Sequence, residues 1–315
     1  MRAIQFAEFG GPEVLHEVEA PDPVPGPGEL LVEVEAAGVN FADFRQIGGF
    51  YAPPGSLPHI PGSEVLGRTA DGRRVMGFTG NGFASKALIT EAQAVDVPDS
   101  AGAGEALALL IQGLTAWHLL RSSARVRPGE SVVVNSAAGG VGSLAVQLAK
   151  EFGAGRVIGT ASRQDKRELV VSLGADVAVA GSADGYADRV VAANGGAGVD
   201  VILDAVGGRV FAAAQEALAP YGRLIGYGSS SGEKAPAVDP GVLTALNISV
   251  GGFWLRPLMS RGAMAPLAEL FELTLAGKLK PQVGGEYPLA EAGRALSDLA
   301  GRQTVGKLVL VPSLG

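Results

Sequence analysis

Cysteine is absent from this chain of 315 residues, and histidine occurs only three times. The lack of thiols excludes disulfides, thiol catalysis, iron–sulfur clusters and thiolate zinc sites. The histidines, His16, His59 and His118, are far apart and show no ligand spacing. We therefore expect them on the surface or in helix packing, and no metal site is predicted.

Long apolar runs and an excess of basic charge are also missing. No segment reaches eighteen consecutive apolar residues, so no membrane-spanning helix is predicted. The net charge of −7 argues against nucleic acid as the main partner. The first residues follow a strand-like pattern without the apolar region of a signal peptide, so a cytoplasmic location is expected.

Apolar residues make up 47% of the chain, which indicates a globular protein. The length allows two domains, each with its own core. The first hundred residues are predicted to be β-rich, because apolar and acidic residues alternate at 30–37 with the period of a half-buried strand. The proline-rich stretch 21–28 predicts a surface loop, and Asp71-Gly72 predicts a hairpin turn.

Strand and helix patterns alternate through the middle of the chain. Six strands are predicted, at 131–135, 156–161, 177–180, 199–205, 223–228 and 248–253. Strands separated by helices pair in parallel through right-handed crossovers. The predicted fold class is therefore α/β, with a doubly wound sheet of six strands and a second, β-rich domain.

The tail leaves the alternating pattern and is expected to return to the first domain. It predicts helices at 266–276 and 289–299 and a closing strand at 307–311. The resulting prediction is a discontinuous β-rich domain at 1–122 and 257–315, and a central domain at 123–256. A cleft between the two is expected to hold the substrate.

A strand, a glycine turn and a helix follow one another in the sequence SVVVNSAAGGVGSLAVQLAK. The residues of the turn are Ala138, Gly139, Gly140, Val141 and Gly142. Such a turn lets the backbone approach a pyrophosphate, and the helix start offers N–H groups with partial positive charge. It predicts a dinucleotide site. Methyltransferases use a similar turn, and glycine there can also serve close packing alone.

The next strand ends at Ser162, where an NAD-binding unit carries an acid for the ribose hydroxyls. Here Ser162 is followed by Arg163 and, one turn later, by Lys166. A hydroxyl and two cations suit a 2′-phosphate, which predicts NADPH. The alternative is an exposed helix start. Asp165 is expected to face solvent.

Six motifs occur in order along the chain: GVNFAD at 38–43, PGSEVLG at 61–67, QGLTA at 112–116, the glycine turn, GAD at 174–176 and GRQTVGK at 301–307. In these motifs the chain resembles the zinc-independent medium-chain dehydrogenases/reductases of the quinone oxidoreductase (zeta-crystallin-like) family, over nearly its whole length. The resemblance implies a GroES-like first domain, a Rossmann domain, NADPH, and a homodimer joined edge to edge through the Rossmann sheets.

Zinc-dependent relatives carry Gly-His-Glu where this chain has Gly62-Ser63-Glu64. Without a metal, the acceptor must be intrinsically electrophilic or be polarised by hydrogen bonds. The resemblance therefore implies an NADPH-dependent quinone oxidoreductase. The alternatives are a reductase of enones or 2-alkenals and an NADPH-responsive binding protein with little turnover.

The resemblance also assigns residues to the substrate. Asn40 would lie near the nicotinamide ribose and the substrate oxygen, with a helix N-cap as its alternative role. Tyr51 would line the substrate mouth, or else be a packed loop aromatic. Arg45 stands where many relatives carry an apolar or aromatic residue and is expected to alter substrate choice. Asp43 is expected to make a structural hydrogen bond.

For the cofactor, the resemblance places Thr115 beneath the nicotinamide ribose and the Phe253-Trp254 segment at the carboxamide, unless the two aromatics pack at a dimer edge. Arg302 and Lys307 would reach the cofactor phosphates, with a solvated charge as the alternative for Lys307. The end of the fifth strand is also expected to border the cleft, through Gly226, Tyr227 and Ser229.

The chain departs from the resemblance after the third strand. Relatives often carry a tyrosine there, close to the adenine phosphate, whereas this chain has Val179-Ala180-Gly181. The loss of that ring is expected to weaken cofactor binding. Ser162, Arg163 and Lys166 would then carry more of the discrimination.

Overall fold

The structure is a computed structural model that describes residues 1–51, 55–234 and 237–314. The chain divides into two compact units, Met1–Ile111 with Gln282–Gly315, and Gln112–Pro281. The first unit is discontinuous. Its limits differ from the predicted 122/123 and 256/257.

The first unit begins with a β-rich segment. Its elements are β1 (Arg2–Gln5), β2 (His16–Glu19), β3 (Glu29–Val39), α1 (Phe41–Ile47), β4 (Glu64–Arg68), β5 (Arg74–Phe78), β6 (Lys86–Thr90), β7 (Val95–Asp96) and α2 (Ala103–Ala108). The alternation of apolar and acidic residues predicted at 30–37 matches the burial of β3, where Val32 and Val34 are buried and Glu33 is exposed. Asp71 and Gly72 lie in the turn between β4 and β5, which pair in antiparallel fashion.

The second unit alternates strands with helices. Its elements are α3 (Leu114–His118), β8 (Ser131–Val134), α4 (Gly140–Glu151), β9 (Arg156–Ala161), α5 (Gln164–Ser172), β10 (Val177–Ala180), α6 (Tyr186–Ala193), β11 (Val199–Asp204), α7 (Gly208–Glu216), β12 (Leu218–Gly226), α8 (Pro240–Leu246), β13 (Ser249–Gly252) and α9 (Leu267–Leu275).

The second unit's sheet has six parallel strands in the order β10-β9-β8-β11-β12-β13. In order of sequence this is 3-2-1-4-5-6, the arrangement of doubly wound dinucleotide-binding folds. The predicted fold class is confirmed. The strand order reverses between β8 and β11, where such sheets bind ligands beyond the carboxyl ends of their strands.

The tail completes the first unit with β14 (Val283–Pro288), α10 (Ala292–Ala300) and β15 (Lys307–Val311). The larger sheet of this unit has the order β14-β15-β3-β4-β5-β7, and β6 also pairs with β3. Its core contains Ile47 of α1, Phe83, and Leu296 of α10. Burial of these side chains ties the tail to the first segment of the chain.

One tail helix belongs to the other unit. The helix predicted at 266–276 is α9, which was expected in the first domain but lies in the second unit. The Trp117 indole donates a 2.8 Å hydrogen bond to Glu269, and His118 Nε2 lies 2.9 Å from the Ala263 carbonyl oxygen. The Gln147 side-chain amide donates to the Lys280 carbonyl oxygen and accepts from the Lys280 backbone N–H. These contacts hold the segment after β13 to α3 and α4.

The stretch Ala103–Ser123 is helical throughout and includes π-helical turns at Leu109–Gly113 and Leu119–Ser123. Among the described residues it is the one helix long and apolar enough to cross a membrane. Most of it is buried inside the structure, as is typical of a core helix.

Candidate functional site

The glycine turn links β8 to α4 in the second unit. A Cβ on Gly142 would lie 2.3 Å from the Ser136 carbonyl oxygen, so only glycine fits there. A Cβ on Gly140 would lie 2.2 Å from the Gln112 amide. The first N–H groups of a helix lack intrahelical partners and form the positive end of its dipole. The turn can therefore hold an anionic phosphate.

Gln112 lies next to this turn, against Gly140, and was not predicted as a site residue. Its side chain is 8% exposed, and its Oε1 atom has no hydrogen-bond partner among the described residues. A buried acceptor without a donor costs free energy. This orphaned atom favours a ligand with a hydroxyl or amide donor. The sequence feature that could have identified Gln112 is its position directly after the apolar run Leu109-Leu110-Ile111.

A buried polar network lies at the strand ends beside the turn. Asn135 follows β8, and its Oδ1 accepts hydrogen bonds from Thr160 Oγ1 at 2.9 Å and Tyr186 OH at 2.8 Å. Its Nδ2 donates to Asp204 Oδ1 at 2.8 Å. The Asp204 carboxylate also accepts from the backbone N–H of Gly207 at 2.9 Å. The network fixes the ends of β8, β9 and β11 with respect to one another.

Burial raises the pKa of Asp204, although the hydrogen bonds from Gly207 and Asn135 oppose the shift. Burial likewise raises the pKa of Tyr186. Neither Asn135 nor Asp204 was predicted as a site residue. The sequence feature that could have identified them is a polar residue at the end of an otherwise apolar strand, as in VVVN and VILD.

The predicted 2′-phosphate residues gather at the carboxyl end of β9. Ser162 and Arg163 are exposed, whereas Lys166 is only 6% exposed. The Arg163 guanidinium pairs with Asp165 at 2.5 Å and lowers the pKa of that carboxyl to about 2. The exposed-helix alternative therefore describes Arg163 but not Lys166. Arg167, which was not predicted, donates to the Ser162 carbonyl oxygen at 3.1 Å.

The end of β10, where the resemblance showed a missing tyrosine, is held by Arg189. Its Nε donates to the Ala180 carbonyl oxygen at 3.1 Å, and its Nη1 donates to that of Asp184 at 2.6 Å. A Cβ on Gly181 would lie 3.1 Å from Thr160 Oγ1. A guanidinium thus organises the segment that a tyrosine occupies in those relatives.

A cavity of about 520 Å³ lies at the ends of β12 and β13. Its lining residues are Gly207, Phe211, Gly226, Tyr227, Gly228, Ser229, Gly251, Gly252, Phe253 and Trp254. The structure therefore brings together all five residues predicted at these strand ends. Phe211 was not predicted: a Cβ on Gly226 would lie 3.1 Å from its ring. The volume is in the range of small-molecule sites.

A second buried cluster surrounds Asn40 in the first unit. Asn40 holds the N-cap position of α1, and its backbone N–H donates to Asp43 Oδ2 at 2.8 Å. Its Nδ2 donates to Glu64 Oε1 at 2.9 Å, and its Oδ1 accepts from Lys307 Nζ at 3.1 Å. Lys307 also forms an ion pair with Glu64, and neither side chain is exposed.

This cluster corrects one expectation and supports another. Lys307 was expected either to reach the cofactor phosphates or to carry a solvated charge. Instead its ammonium is buried, where it pairs with Glu64 and donates to Asn40. Asp43 makes the structural hydrogen bonds expected of it, since Ser63 Oγ donates to its Oδ1 at 2.6 Å. Burial raises the pKa of Asp43 to about 6, against the lowering effect of these hydrogen bonds.

The remaining predicted residues are Arg45, Tyr51, Thr115 and Arg302. Arg45 lies on α1 with its guanidinium 4.7 Å from the Phe50 ring centre. Tyr51 is half-buried. Thr115 lies on α3 and is 8% exposed. Arg302 follows α10 and is exposed, with a φ of 56°.

Comparison with known proteins agrees with this architecture. The Alcohol dehydrogenase GroES-like domain model matches residues 26–80, and the Zinc-binding dehydrogenase model matches residues 140–272. A quinone oxidoreductase from Pseudomonas aeruginosa is 34% identical over 99% of both chains. The chain belongs to the quinone oxidoreductase family of medium-chain dehydrogenases/reductases.

Two solved structures of similar proteins match this chain over 99% of its length. A mycobacterial protein in complex with NADPH has a TM-score of 0.93 and 38% identity, covering 99% of this chain and 100% of its own. Escherichia coli quinone oxidoreductase, also in complex with NADPH, has a TM-score of 0.92 and 31% identity, with the same coverage. Among the residues that the structure describes, this family member has no group of three or more His, Asp or Glu side chains that could hold a metal ion.

Proposed function

We propose that the protein is an NADPH-dependent oxidoreductase that reduces quinones. The observation that carries this proposal is the whole-length similarity to quinone oxidoreductases, one of them solved with NADPH. The glycine turn and the orphaned Gln112 acceptor support it, because they fit a ligand that has both phosphates and hydroxyls.

The second unit holds the cofactor. The N–H groups of Gly140, Val141 and Gly142 receive the pyrophosphate, as helix N-termini do in dinucleotide-binding folds. Gly139 lies beside them, and its own N–H donates to the Ser136 carbonyl oxygen. The 2′-phosphate binds the Ser162 hydroxyl and the cationic side chains of Arg163 and Lys166. Thr115 and the cavity residues Gly226, Tyr227, Ser229, Phe253 and Trp254 receive the nicotinamide half, and Arg302 contacts a phosphate. The bound NADPH supplies a hydride.

The first unit supplies the residues that act on the acceptor. The Asn40 amide donates a hydrogen bond to the quinone oxygen that gains charge, and Tyr51 and Arg45 shape the acceptor site. A quinone that takes up one hydride and one proton from water becomes a hydroquinone. No Lewis acid is required, because a quinone is intrinsically electrophilic.

The assembly we propose is a cytoplasmic homodimer. In the second unit's sheet, β13 pairs with β12 alone among the described strands, which leaves one strand edge for a partner copy. Light scattering coupled to size-exclusion chromatography tests this; a mass of one chain at micromolar concentration contradicts it.

Steady-state assays of NADPH consumption test the function. We expect faster turnover of 1,4-benzoquinone than of 1-octen-3-one. Turnover of the enone alone would replace the proposal by an enone reductase. Tight NADPH binding in calorimetry without turnover of either acceptor would identify an NADPH-responsive binding protein.

A further inference from the structure

The Glu64–Lys307 pair is the one fully buried ion pair in the described part of the chain, and it lies against Asn40. Lys307 is the first residue of β15, and Glu64 is the first residue of β4. Burial of two charges is costly, and such a pair is weak evidence for a gain in stability. A gain in stability therefore does not by itself explain the pair.

The pair is built into its surroundings. Lys307 Nζ also lies 3.5 Å from the Val39 carbonyl oxygen, and the Ile111 N–H donates to Glu64 Oε2 at 3.2 Å. A Cβ on Gly38 would lie 2.4 Å from Glu64 Oε1 and 2.7 Å from Lys307 Nζ. Glycine at position 38 thus leaves the space that the pair occupies. Asp43 lies on the other side of Asn40, bonded to its backbone N–H.

The two charged groups contact opposite ends of one amide. The Lys307 ammonium is only a donor and faces Asn40 Oδ1, whereas the Glu64 carboxylate is an acceptor and faces Asn40 Nδ2. A rotation of the amide by half a turn would put its NH₂ group against the ammonium and its oxygen against the carboxylate. Both hydrogen bonds would be lost, and two repulsive contacts would replace them.

We propose that Lys307 and Glu64 are positioning residues that hold the Asn40 amide in a single orientation, with its second N–H available to the oxygen of the acceptor. The proposal rests on the proposed function, in which Asn40 contacts the acceptor. It adds a reason for the buried pair: the pair selects one of two nearly isosteric amide orientations, and only one presents a donor where negative charge develops.

A double-mutant cycle on kcat tests whether Lys307 acts through Asn40. The proteins are wild type, N40A, K307M and N40A/K307M, assayed with saturating NADPH and 1,4-benzoquinone. We expect K307M to lower kcat at least about tenfold in the wild-type background and less than about twofold in the N40A background. An equal loss in both backgrounds, or no loss with K307M, overturns the proposal.

A neutral double variant addresses the risk that K307M alone fails to fold. E64Q/K307M removes both charges and keeps a similar side-chain volume, but glutamine can pair with either end of the amide. We expect an unchanged Kd for NADPH and a kcat at least about tenfold lower. Full kcat in this variant overturns the proposal. Arg223→Met is the control: it breaks the partly buried pair with Glu130 and should lower Tm while leaving kcat within about twofold of wild type.

The orientation of the amide has a readout that needs no turnover. With ¹⁵N-labelled asparagine, the Asn40 side-chain NH₂ should give one sharp, exchange-protected pair of NMR signals in the wild type and a broadened or doubled pair in E64Q/K307M. Identical signals in both proteins overturn the proposal. If the wild type fails to reduce quinones while the signals differ as expected, the proposed function is wrong and the positioning role stands.

Discussion

Asn135 Nδ2 donates a 2.8 Å hydrogen bond to Asp204 Oδ1 and thereby joins the ends of β8 and β11. These neighbouring strands flank the point at which the order of the sheet reverses, where doubly wound folds bind their ligands. Neither residue is exposed. The hydrogen bond therefore belongs to the scaffold around the proposed cofactor site.

Asn135→Ala should lower the free energy of unfolding by about 2–4 kcal/mol, because Thr160, Tyr186 and Asp204 each lose a buried partner. Urea denaturation measures the change, and calorimetry with NADPH should show weaker binding. The matched control is Asn81→Ala at an exposed position, for which a change below about 0.5 kcal/mol is expected. Equal effects of the two substitutions would contradict the role of the network.

Gly142→Ala should abolish NADPH binding and destabilise the protein, because its Cβ would lie 2.3 Å from the Ser136 carbonyl oxygen, a backbone atom. Gly80→Ala is the control, since a Cβ there meets nothing within 4 Å among the described residues. Calorimetric titration with NADPH and thermal unfolding distinguish the two variants. Wild-type affinity in Gly142→Ala would show that the turn tolerates a side chain.

Local patterns in the sequence predicted most of the fold. The strands of the central sheet follow from short β-branched runs such as Val132 to Val134, and the turn follows from glycine spacing. These signals act within a few residues along the chain. The strand limits agree with the prediction to within about two residues, except for β12, which begins at Leu218, five residues before the predicted start.

Contacts between distant residues could not be predicted in the same way. In the sequence, Lys307 is the charged first residue of the predicted closing strand, and only the pairing of β15 with β3 brings it to Asn40 and Glu64. The place of α9 depends on single hydrogen bonds such as Trp117 to Glu269. Hydrophobic periodicity predicts that a helix has a buried face, and it leaves open which unit covers that face.

Lys166→Ala should raise the Michaelis constant for NADPH at least about tenfold and leave that for NADH nearly unchanged. The proposed partner of the Lys166 ammonium is the 2′-phosphate, which NADH lacks. Lys150→Ala is the control, since Lys150 is partly exposed and pairs with Asp176 at 3.0 Å. Initial rates with each nucleotide measure the effect. Equal changes for NADPH and NADH would show that Lys166 does not contact the 2′-phosphate.

Asp43 should make stability depend on pH in the direction opposite to most carboxylates. Burial raises its pKa from 3.8 to about 6 in the folded protein, so the folded state binds a proton more tightly than the unfolded state. The resulting stability is fully present below about pH 4 and is lost as the pH rises through about 6. At about 1.4 kcal/mol per pKa unit, the loss is about 3 kcal/mol.

The comparison with Asp43→Asn isolates this contribution, because the variant cannot titrate at that position. The free energy of unfolding of the wild type minus that of Asp43→Asn should fall as the pH rises from 4 to 7, measured in urea at each pH. Asp165→Asn is the control: the pKa of Asp165 is lowered by Arg163, so the corresponding difference should rise over the acid range. A flat difference for Asp43→Asn would mean that Asp43 keeps an ordinary pKa despite its burial.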